Sequence, residues 1–466
     1  MTTSNQSPAA PGTEAKLPWY RGLSRYHWFI LTVCWMAWLF DTMDQQLFIL
    51  ARSPAMTALM REGTTKESIT FYSGIVTMIM MLGWATGGIL FGILGDRWGR
   101  AKTLVMAVMF YSVFTGLSAL SVTWMDFAAF RFLTGLGVGG TFGAAVSFVA
   151  EVLPARSRTF ALGFLQSLGA VGNMAAATIS LLLLPPDIEI RGVAGWRLLF
   201  VVGILPAILV LLVMRRLKEP ESWVRAKEAE RRGEAHHKGR GMGSLRELFG
   251  DPRWRRNVIV GIILGLAGVM GLWGIGFWLP ELVRSVIPAV THEEKITQSW
   301  YVSLAMLLFN GGAAVATYGF AALMGWIGRR PSFALIFVAA LASVIGIFGF
   351  MTHSSQVWWM APLLGIGTLT IFGGYSIYFP ELFPTRLRAT GVGFCYNTAR
   401  YLAATAPFTL GLLTTVYKDA GFTLLGSLGS DDAPFRYAAF TVAGVFVAGL
   451  LVLPFAPETK GKPLPE

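Results

Sequence analysis

About twelve runs of mostly apolar residues follow one another along the chain, and this succession limits the possible folds more than any other feature. A helix needs roughly 20 such residues to cross a bilayer, and lipid offers no hydrogen-bond partner to an open strand edge. We therefore expect an all-α membrane protein. The apolar runs span residues 28–50, 73–95, 103–121, 124–150, 159–184, 196–214, 257–280, 300–324, 332–352, 357–380, 388–416 and 436–456.

The charge content agrees with a membrane protein. Only 14% of the residues are charged, against about 25% in a typical soluble domain. A net charge of +12 would also suit a nucleic-acid-binding protein. The basic residues, however, stand in short loops between the apolar runs, which is the pattern of the positive-inside rule. No nucleic-acid partner is expected.

The loop charges also predict the orientation. If the spans alternate, the basic loops share one side, which the positive-inside rule assigns to the cytoplasm, and the opposite loops carry few or balanced charges. We expect a multi-pass protein of the cell (inner) membrane with cytoplasmic tails at 1–25 and 458–466, and no signal peptide. The basic loop residues are Arg21, Arg25, Arg97, Arg100, Lys102, Arg156, Arg158, Arg329, Arg330, Arg386 and Arg388.

Three pairs of motifs recur at an offset of about 230 residues. Ordered matches at one spacing predict two homologous halves, 26–216 and 255–457, arranged in parallel. The polar segment 217–254 joins them, either as a surface helix at the membrane interface or as a solvated linker. The pairs are Gly95-Asp96-Arg97-Trp98-Gly99-Arg100 with Met324-Gly325-Trp326-Ile327-Gly328-Arg329-Arg330, Glu151…Arg158 with Glu381…Arg388, and Pro220-Glu221-Ser222 with Pro457-Glu458-Thr459.

These motifs resemble those of the major facilitator superfamily over nearly the whole chain, and Arg131-Phe-Leu-Thr-Gly135-Leu-Gly137 is similar to its fourth-helix signature. The resemblance implies twelve helices in two six-helix bundles. Within the superfamily, the chain resembles the sugar-porter-like branch that includes sialate, aromatic-acid and monocarboxylate proton symporters. The seventh run lacks the Gln-rich pattern of hexose porters, and Gly325 stands where the first hairpin has Asp96.

Few ionisable residues lie within the apolar runs, and such residues are expensive in a bilayer, so they are candidates for function. Asp41 and Asp44 share one face of the first run, and their spacing resembles the paired acids of organic-acid symporters, with Thr42 where those often have Gly. Two neighbouring carboxylates in a dry site do not both ionise easily, so we expect them to carry protons. Arg131 opens the fourth run and is expected to pair with one of them. The alternatives are a structural acid near a helix end and an interfacial Arg131.

Arg400 lies deep in the eleventh run with no acid nearby in sequence, and it is expected to bind a substrate carboxylate through its two-pronged guanidinium group. Asn397 and Tyr401, one turn apart, would add hydrogen bonds. Further polar candidates for the cavity wall belong to other runs, although such residues more often join helices. They are Gln166, Asn173, Asn310, Tyr375 and Tyr378.

Charged residues at the predicted cytoplasmic ends of the helices are candidates for a gate, because ion pairs there can hold one conformation closed. Static anchoring is the alternative reading. The predicted gating residues are Asp96, Arg97, Arg100, Glu151, Arg156, Glu381 and Arg388. Close-packed glycines at 83–92 and 135–143 are expected to form the seam between the bundles.

The sequence therefore predicts a secondary active transporter that takes up a small organic anion, a carboxylate or an acidic sugar, with protons by alternating access. A proton-coupled symporter of a neutral sugar or polyol is the alternative. No catalytic constellation, metal cluster or nucleotide-binding motif is visible, so we expect neither an enzyme nor a cofactor. The expected partners are the substrate, protons and the lipid bilayer, and the chain is expected to act as a monomer.

Overall fold

The computed structural model describes residues 18–61, 64–183, 189–190, 192–208, 216–232, 241–419 and 433–465. Most of the predicted N-terminal tail 1–25, and the middle of the polar segment 217–254, lie outside these ranges. The described chain is almost entirely helical, with a single two-stranded ribbon formed by β1 (Glu189–Ile190) and β2 (Val193–Ala194).

The first half contributes six helices that follow the predicted apolar runs, except that the sixth run, 196–214, is broken by a turn at 203–204 after α6, with helix again at 205–208. They are α1 (Arg25–Leu59), α2 (Lys66–Trp98), α3 (Arg100–Ser118), α4 (Trp124–Val152), α5 (Ala155–Leu183) and α6 (Gly195–Val202). Two short helices then occupy the polar segment, α7 (Glu221–Arg231) and α8 (Leu245–Gly250).

The second half repeats the arrangement with two interrupted spans. Its helices are α9 (Pro252–Gly274), α10 (Leu279–Val286), α11 (His292–Ile327), α12 (Arg329–Phe350), α13 (Val357–Glu381), α14 (Arg388–Ala403), α15 (Ala406–Asp419) and α16 (Ala433–Val452). The predicted run 257–280 is broken by a 3₁₀ turn at Gly276–Trp278, and the run 388–416 is broken between α14 and α15. Proline at 407 has no N–H for a helical bond, which fits the second break.

Within the described ranges, nine helical segments are long and apolar enough to cross a membrane. Side-chain caps define several of their ends. In α4 and α11 a threonine accepts from the third backbone N–H, and an acidic side chain accepts in return from the threonine N–H. The tight hairpins α2–α3 and α11–α12 each turn at a glycine of positive φ, +120° at Gly99 and +102° at Gly328. That backbone conformation favours glycine, so both copies of the repeated motif form the same turn.

The helices form two bundles that meet along two seams. In the first bundle α4 packs on α2 and α3, and α1 packs on α5; in the second, α11 packs on α13, and α9 packs on α14 and α16. Between the bundles, α2 lies against α14 and α5 lies against α11.

The glycines only partly follow the predicted seam. Gly88 and Gly92 face Asn397 and Ala389 of the other bundle, as expected, because a Cβ there would touch them. Gly135 and Gly139, however, pack on the backbone of α2 within the first bundle. They let two helices of one bundle approach closely, and the prediction that they line the moving seam is wrong.

Candidate functional site

A cavity of about 100 Å³ lies between the two bundles, at the level of the middle of the long helices. Both halves contribute to its wall, so a molecule bound there would contact both bundles. From the first half come Trp38, Thr42, Gln45, Gln46, Ile49, Trp84, Gln166, Ser167, Gly169, Ala170 and Asn173. From the second half come Leu272, Trp273, Met306, Phe309, Asn310, Ala313, Ala314, Thr317, Leu369, Phe372, Tyr396 and Arg400.

Arg400 is the cation of this cavity. Its guanidinium carbon lies 4.1 Å from the centre of the Trp84 ring and 4.3 Å from that of Tyr396, so two aromatic faces hold it. Nη1 donates to the carbonyl of Tyr396 and to Oδ1 of Asn397, at 2.6 and 3.1 Å. Its Nε has no hydrogen-bond partner, and no ion pair within the described residues includes Arg400. The side chain is fixed in place while part of its donor fork stays free.

The two predicted proton carriers are both fully buried in α1. Asp41 accepts a hydrogen bond of 3.0 Å from Gln45, its Oδ1 has no partner among the described residues, and it interacts electrostatically with Arg400 of the second bundle. Asp44 lies near Gly203 of the turn after α6, in the first bundle, and neither of its oxygens has a hydrogen-bond partner in the described structure. The two acids therefore face different surroundings although they share a helix.

Arg131 does not form the predicted ion pair. Its Nε and Nη2 donate to Ser118, and its guanidinium group stacks 4.7 Å from the centre of the Phe200 ring. Asp44 lies within electrostatic range, but within the described residues no ion pair links the two. The guanidinium group contacts three aromatic rings and the end of α3 instead of a carboxylate. The sequence did not reveal these partners.

The two residues predicted to bind substrate beside Arg400, Asn397 and Tyr401, lie in different places and neither lines the cavity. Asn397 supports Arg400 from behind and packs against Gly88 of the first bundle, so it lies beneath the cavity wall. Tyr401 is 40% exposed, and its hydroxyl lies 2.9 Å from that of Thr86, outside the cavity. Residues one turn apart share only a rough direction, and here the helix turns Tyr401 away from the centre.

Gln166, Asn173 and Asn310 line the cavity, and Asn173 donates to Asn310 across the seam at 3.1 Å. Gln45 and Gln46 also line the cavity and were not predicted, although their position directly after the paired acids was a usable signal.

Tyr375 and Tyr378 lie away from the cavity, against the prediction. The Tyr375 hydroxyl donates to the carbonyl of Leu264 and accepts from the N–H of Gly268, inside the second bundle. The Tyr378 hydroxyl donates to the carbonyl of Pro457 at 2.7 Å. Both hydroxyls join elements of one bundle.

One end of the molecule, which we call the basic face, carries the turns at Gly99 and Gly328. Here Asp96 is fully buried and accepts hydrogen bonds from the N–H groups of Ala389 and Thr390 and from the Thr390 hydroxyl, at 3.1, 2.8 and 2.5 Å. An acid of the first bundle thus caps the N-terminus of α14 in the second, where a negative charge is favoured.

Buried ion pairs continue this contact. Glu151 accepts from Arg100 of its own bundle at 2.9 Å and from Arg388 of the other at 2.8 Å, and Arg100 also pairs with Asp96 at 2.7 Å. In the second half Arg329 pairs with Glu381 at 2.7 Å and donates to the Thr159 hydroxyl of the first. We call these contacts, with the Asp96 cap, the basic-face network. They join the two bundles at this end of the molecule.

The third repeated motif supports the network from outside, with a shift in register. Ser222 and Thr459 donate to Glu151 and Glu381 respectively, as their matched positions predict. Glu458 caps α12 through the N–H groups of Arg329 and Arg330. In the first half the acid that caps α3 is Glu219, not the predicted match, Glu221.

Burial raises the pKa of the Glu458 carboxyl, but the backbone N–H groups that donate to it outweigh burial and hold that pKa below its ordinary value.

Two predicted gating residues stand outside the network. Arg97 is exposed and donates to the carbonyl of Met242, and Arg156 is exposed and donates to the carbonyl of Arg21. Both hold polar segments of the chain against the basic face. The linker helix α7 does the same, because Trp223 donates to the carbonyl of Asp96 at 2.7 Å.

Comparison with known proteins gives consistent results. The family model described as Major Facilitator Superfamily matches residues 29–407. A probable 4-methylmuconolactone transporter of Cupriavidus pinatubonensis is 28% identical over 446 residues, covering 95% of this chain and 93% of the relative. The niacin transporter NiaP of Acinetobacter baylyi is 27% identical, covering 95% and 96%. The solved proton:xylose symporter XylE from E. coli superposes with a TM-score of 0.70 at 19% identity, covering 94% of this chain and 98% of that one.

Proposed function

Because the chain belongs to the Major Facilitator Superfamily, a family of membrane transporters, we propose that it carries a small planar carboxylate across the cell membrane together with protons. The observation that carries this proposal is Arg400, held in the cavity wall by Trp84 and Tyr396 with no carboxylate paired to it in the described structure. A buried cation needs an anion to balance it, and the fork of an arginine fits a carboxylate with two parallel hydrogen bonds.

The cavity wall supports a planar cargo. Its volume of about 100 Å³ is smaller than an engineered cavity of about 150 Å³ that holds benzene, so the cargo is small and the bundles move apart to admit a substituted ring. Flat aromatic surfaces line the cavity and would stack on a ring or a conjugated chain. The aromatic residues are Trp38, Trp84, Trp273, Phe309, Phe372 and Tyr396. The cargoes named for the two relatives, 4-methylmuconolactone and niacin, both carry a carboxyl group.

Asp41 supplies the link to protons in this proposal. It lies in the first bundle and interacts electrostatically with Arg400 in the second. In this scheme Asp41 is ionised in the empty protein and offsets the charge of Arg400 without a direct ion pair between them. A substrate carboxylate that binds Arg400 takes over this balance, and Asp41 then binds a proton. Substrate and proton therefore favour each other, and the coupling is reciprocal.

The basic-face network is the gate in this scheme. Its contacts from Asp96 to Thr390, from Arg388 to Glu151 and from Arg329 to Thr159 all join one bundle to the other. They must break when the bundles rock to open this end. Asp44 and Arg131 lie inside the first bundle, so in this scheme they serve its internal packing or a second proton site.

The positive-inside rule supports a cytoplasmic basic face and cytoplasmic termini. We propose the inner membrane as the location, a monomer as the working unit, and bundle boundaries at 26–216 and 255–457.

The test is ligand binding to the purified protein. Niacin and benzoate should raise its melting temperature, because a ligand that binds only the folded state stabilises it by mass action. Arg400→Lys should weaken their binding by at least about tenfold, since it keeps the charge but loses the fork and the stacking. Arg253→Lys, at an exposed position outside the cavity, is the matched control.

Stabilisation by xylose without any effect of carboxylates would favour the neutral-sugar alternative. Unchanged carboxylate affinity in Arg400→Lys would remove Arg400 from the binding site.

A further inference from the structure

A second cavity lies far from the first, on the outer surface of the second bundle where α9 begins and α16 ends. It is a groove of about 560 Å³, within the usual volume range of ligand pockets. Its floor and walls are apolar and much of that surface is exposed, with Leu451 at 70% and Phe455 at 65%. The apolar lining is Ile259, Val260, Ile263, Ala448, Leu451, Val452 and Phe455.

Two arginines stand at the basic-face end of this groove. Arg255 and Arg256 lie in the first turns of α9, and both are exposed. Within the described residues no ion pair or side-chain hydrogen bond includes either of them, whereas Arg100, Arg329 and Arg388 of the same face are paired with glutamates. The nearest acid in sequence, Asp251, caps α9 by accepting from a backbone N–H. The rim of the groove is therefore strongly and locally positive.

This distribution of charge matches one kind of ligand. A phospholipid places its phosphate at the membrane surface and its chains beneath, and the groove places two guanidinium groups at the basic face and apolar side chains beneath. Basic pockets between membrane helices near the cytoplasmic surface are suited to acidic lipid head groups. Arginine binds phosphate oxygens through two parallel hydrogen bonds.

We propose that this groove is a binding site for an anionic phospholipid of the leaflet at the basic face, with its phosphate on Arg255 and Arg256 and an acyl chain along Ile259, Ile263 and Leu451. The groove shares no lining residue with the central cavity. The lipid site is thus separate from the transport site. The proposal does not depend on the identity of the cargo.

Native mass spectrometry of the detergent-purified protein with phosphatidylglycerol or phosphatidylcholine of identical chains is the direct test. Wild type should retain phosphatidylglycerol preferentially. Arg255→Gln with Arg256→Gln should lower that retention by about fivefold per arginine removed, to the phosphatidylcholine level. Arg253→Gln is the matched control, because that side chain stacks on Trp254 and does not line the groove, and it should retain wild-type selectivity.

A second variant tests the apolar half of the site. Ile259→Trp fills the groove without touching the rim charges and should reduce retention of both lipids, with the helical content by circular dichroism unchanged. Equal retention of the two lipids by wild type, or wild-type selectivity in the double arginine variant, would overturn the proposal. A dimer that the Ile259→Trp variant dissociates, with lipid retention unaltered, would show instead that the groove receives a second copy of the chain.

Discussion

Replacing Asp96 by asparagine should open the basic face, and the structure sets the size of the effect. Asp96 accepts three hydrogen bonds from Ala389 and Thr390 across the seam. A charged acceptor makes each bond worth about 1 kcal/mol more than a neutral one. Asp96→Asn therefore destabilises the closed state by about 3 kcal/mol, which raises the ratio of open to closed molecules about 100-fold.

The assay is alkylation of a thiol placed beneath the gate. Ser376 is fully buried and donates to the carbonyl of Leu162 across the second seam, so Ser376→Cys places a thiol that only opening exposes. Cys34 and Cys395, both buried, are replaced by alanine in this background. When opening is fast, the alkylation rate follows the open population, so Asp96→Asn should raise it about 100-fold.

Asp126→Asn is the control, because the Asp126 carboxylate caps its own helix α4 and, among the described residues, makes no hydrogen bond across the bundles. An alkylation rate that stays at the wild-type value in Asp96→Asn, with the protein folded, would refute the gate.

Three further predictions use other parts of the structure. Gly139→Ala should lower the free energy of unfolding by about 1–3 kcal/mol, because its Cβ would overlap the carbonyl of Trp84; Gly346→Ala, with nothing within 4 Å of the added Cβ, should not destabilise. Thermal unfolding checks both, and equal losses would contradict the packing. The pKa of Glu458 is lower in the folded protein than its ordinary value of about 4.3, so the ionised carboxylate stabilises the fold above that pH. Thermal stability should therefore fall as the pH drops below about 4.3 and Glu458 is protonated. A Glu458→Gln variant with the same pH profile would argue against this cap. Tyr401→Phe should leave carboxylate affinity within about twofold, since its hydroxyl lies outside the cavity, and a large loss in a binding titration would return Tyr401 to the site.

The fold can be predicted from the sequence to a large extent, because the apolar runs and the repeated motifs are both strong patterns. Long apolar runs can only be membrane helices, and repeated motifs at one spacing require two similar halves. The breaks after Val202, Gly274 and Ala403 were not predicted, since hydropathy continues across a short interruption of the helix. The cap by Glu219 was not predicted, because matching the motifs compares residue identities at equal spacing. In the structure, the acid that caps the helix is the one whose carboxylate reaches its N-terminus.

The site was predicted less completely, because the sequence does not show in which direction each side chain points. Sequence identifies which polar residues lie in apolar helices, and Arg400, Gln166, Asn173 and Asn310 do meet at one cavity. It does not identify the partner that each one selects. Arg131 donates to Ser118 and contacts aromatic rings, and the Tyr375 hydroxyl donates to the backbone of α9, because helix packing fixes the direction of each side chain.

The number of protons taken up on ligand binding decides whether substrate and proton are coupled through Asp41. Calorimetric titration of the protein with niacin, in buffers of different ionisation enthalpy, reports protons taken up per bound ligand. If a substrate carboxylate bound to Arg400 makes Asp41 take up a proton, wild type should take up about one proton per ligand, and Asp41→Asn should bind niacin with none. Binding without proton uptake in wild type, or the same uptake in Asp41→Asn, would contradict the account.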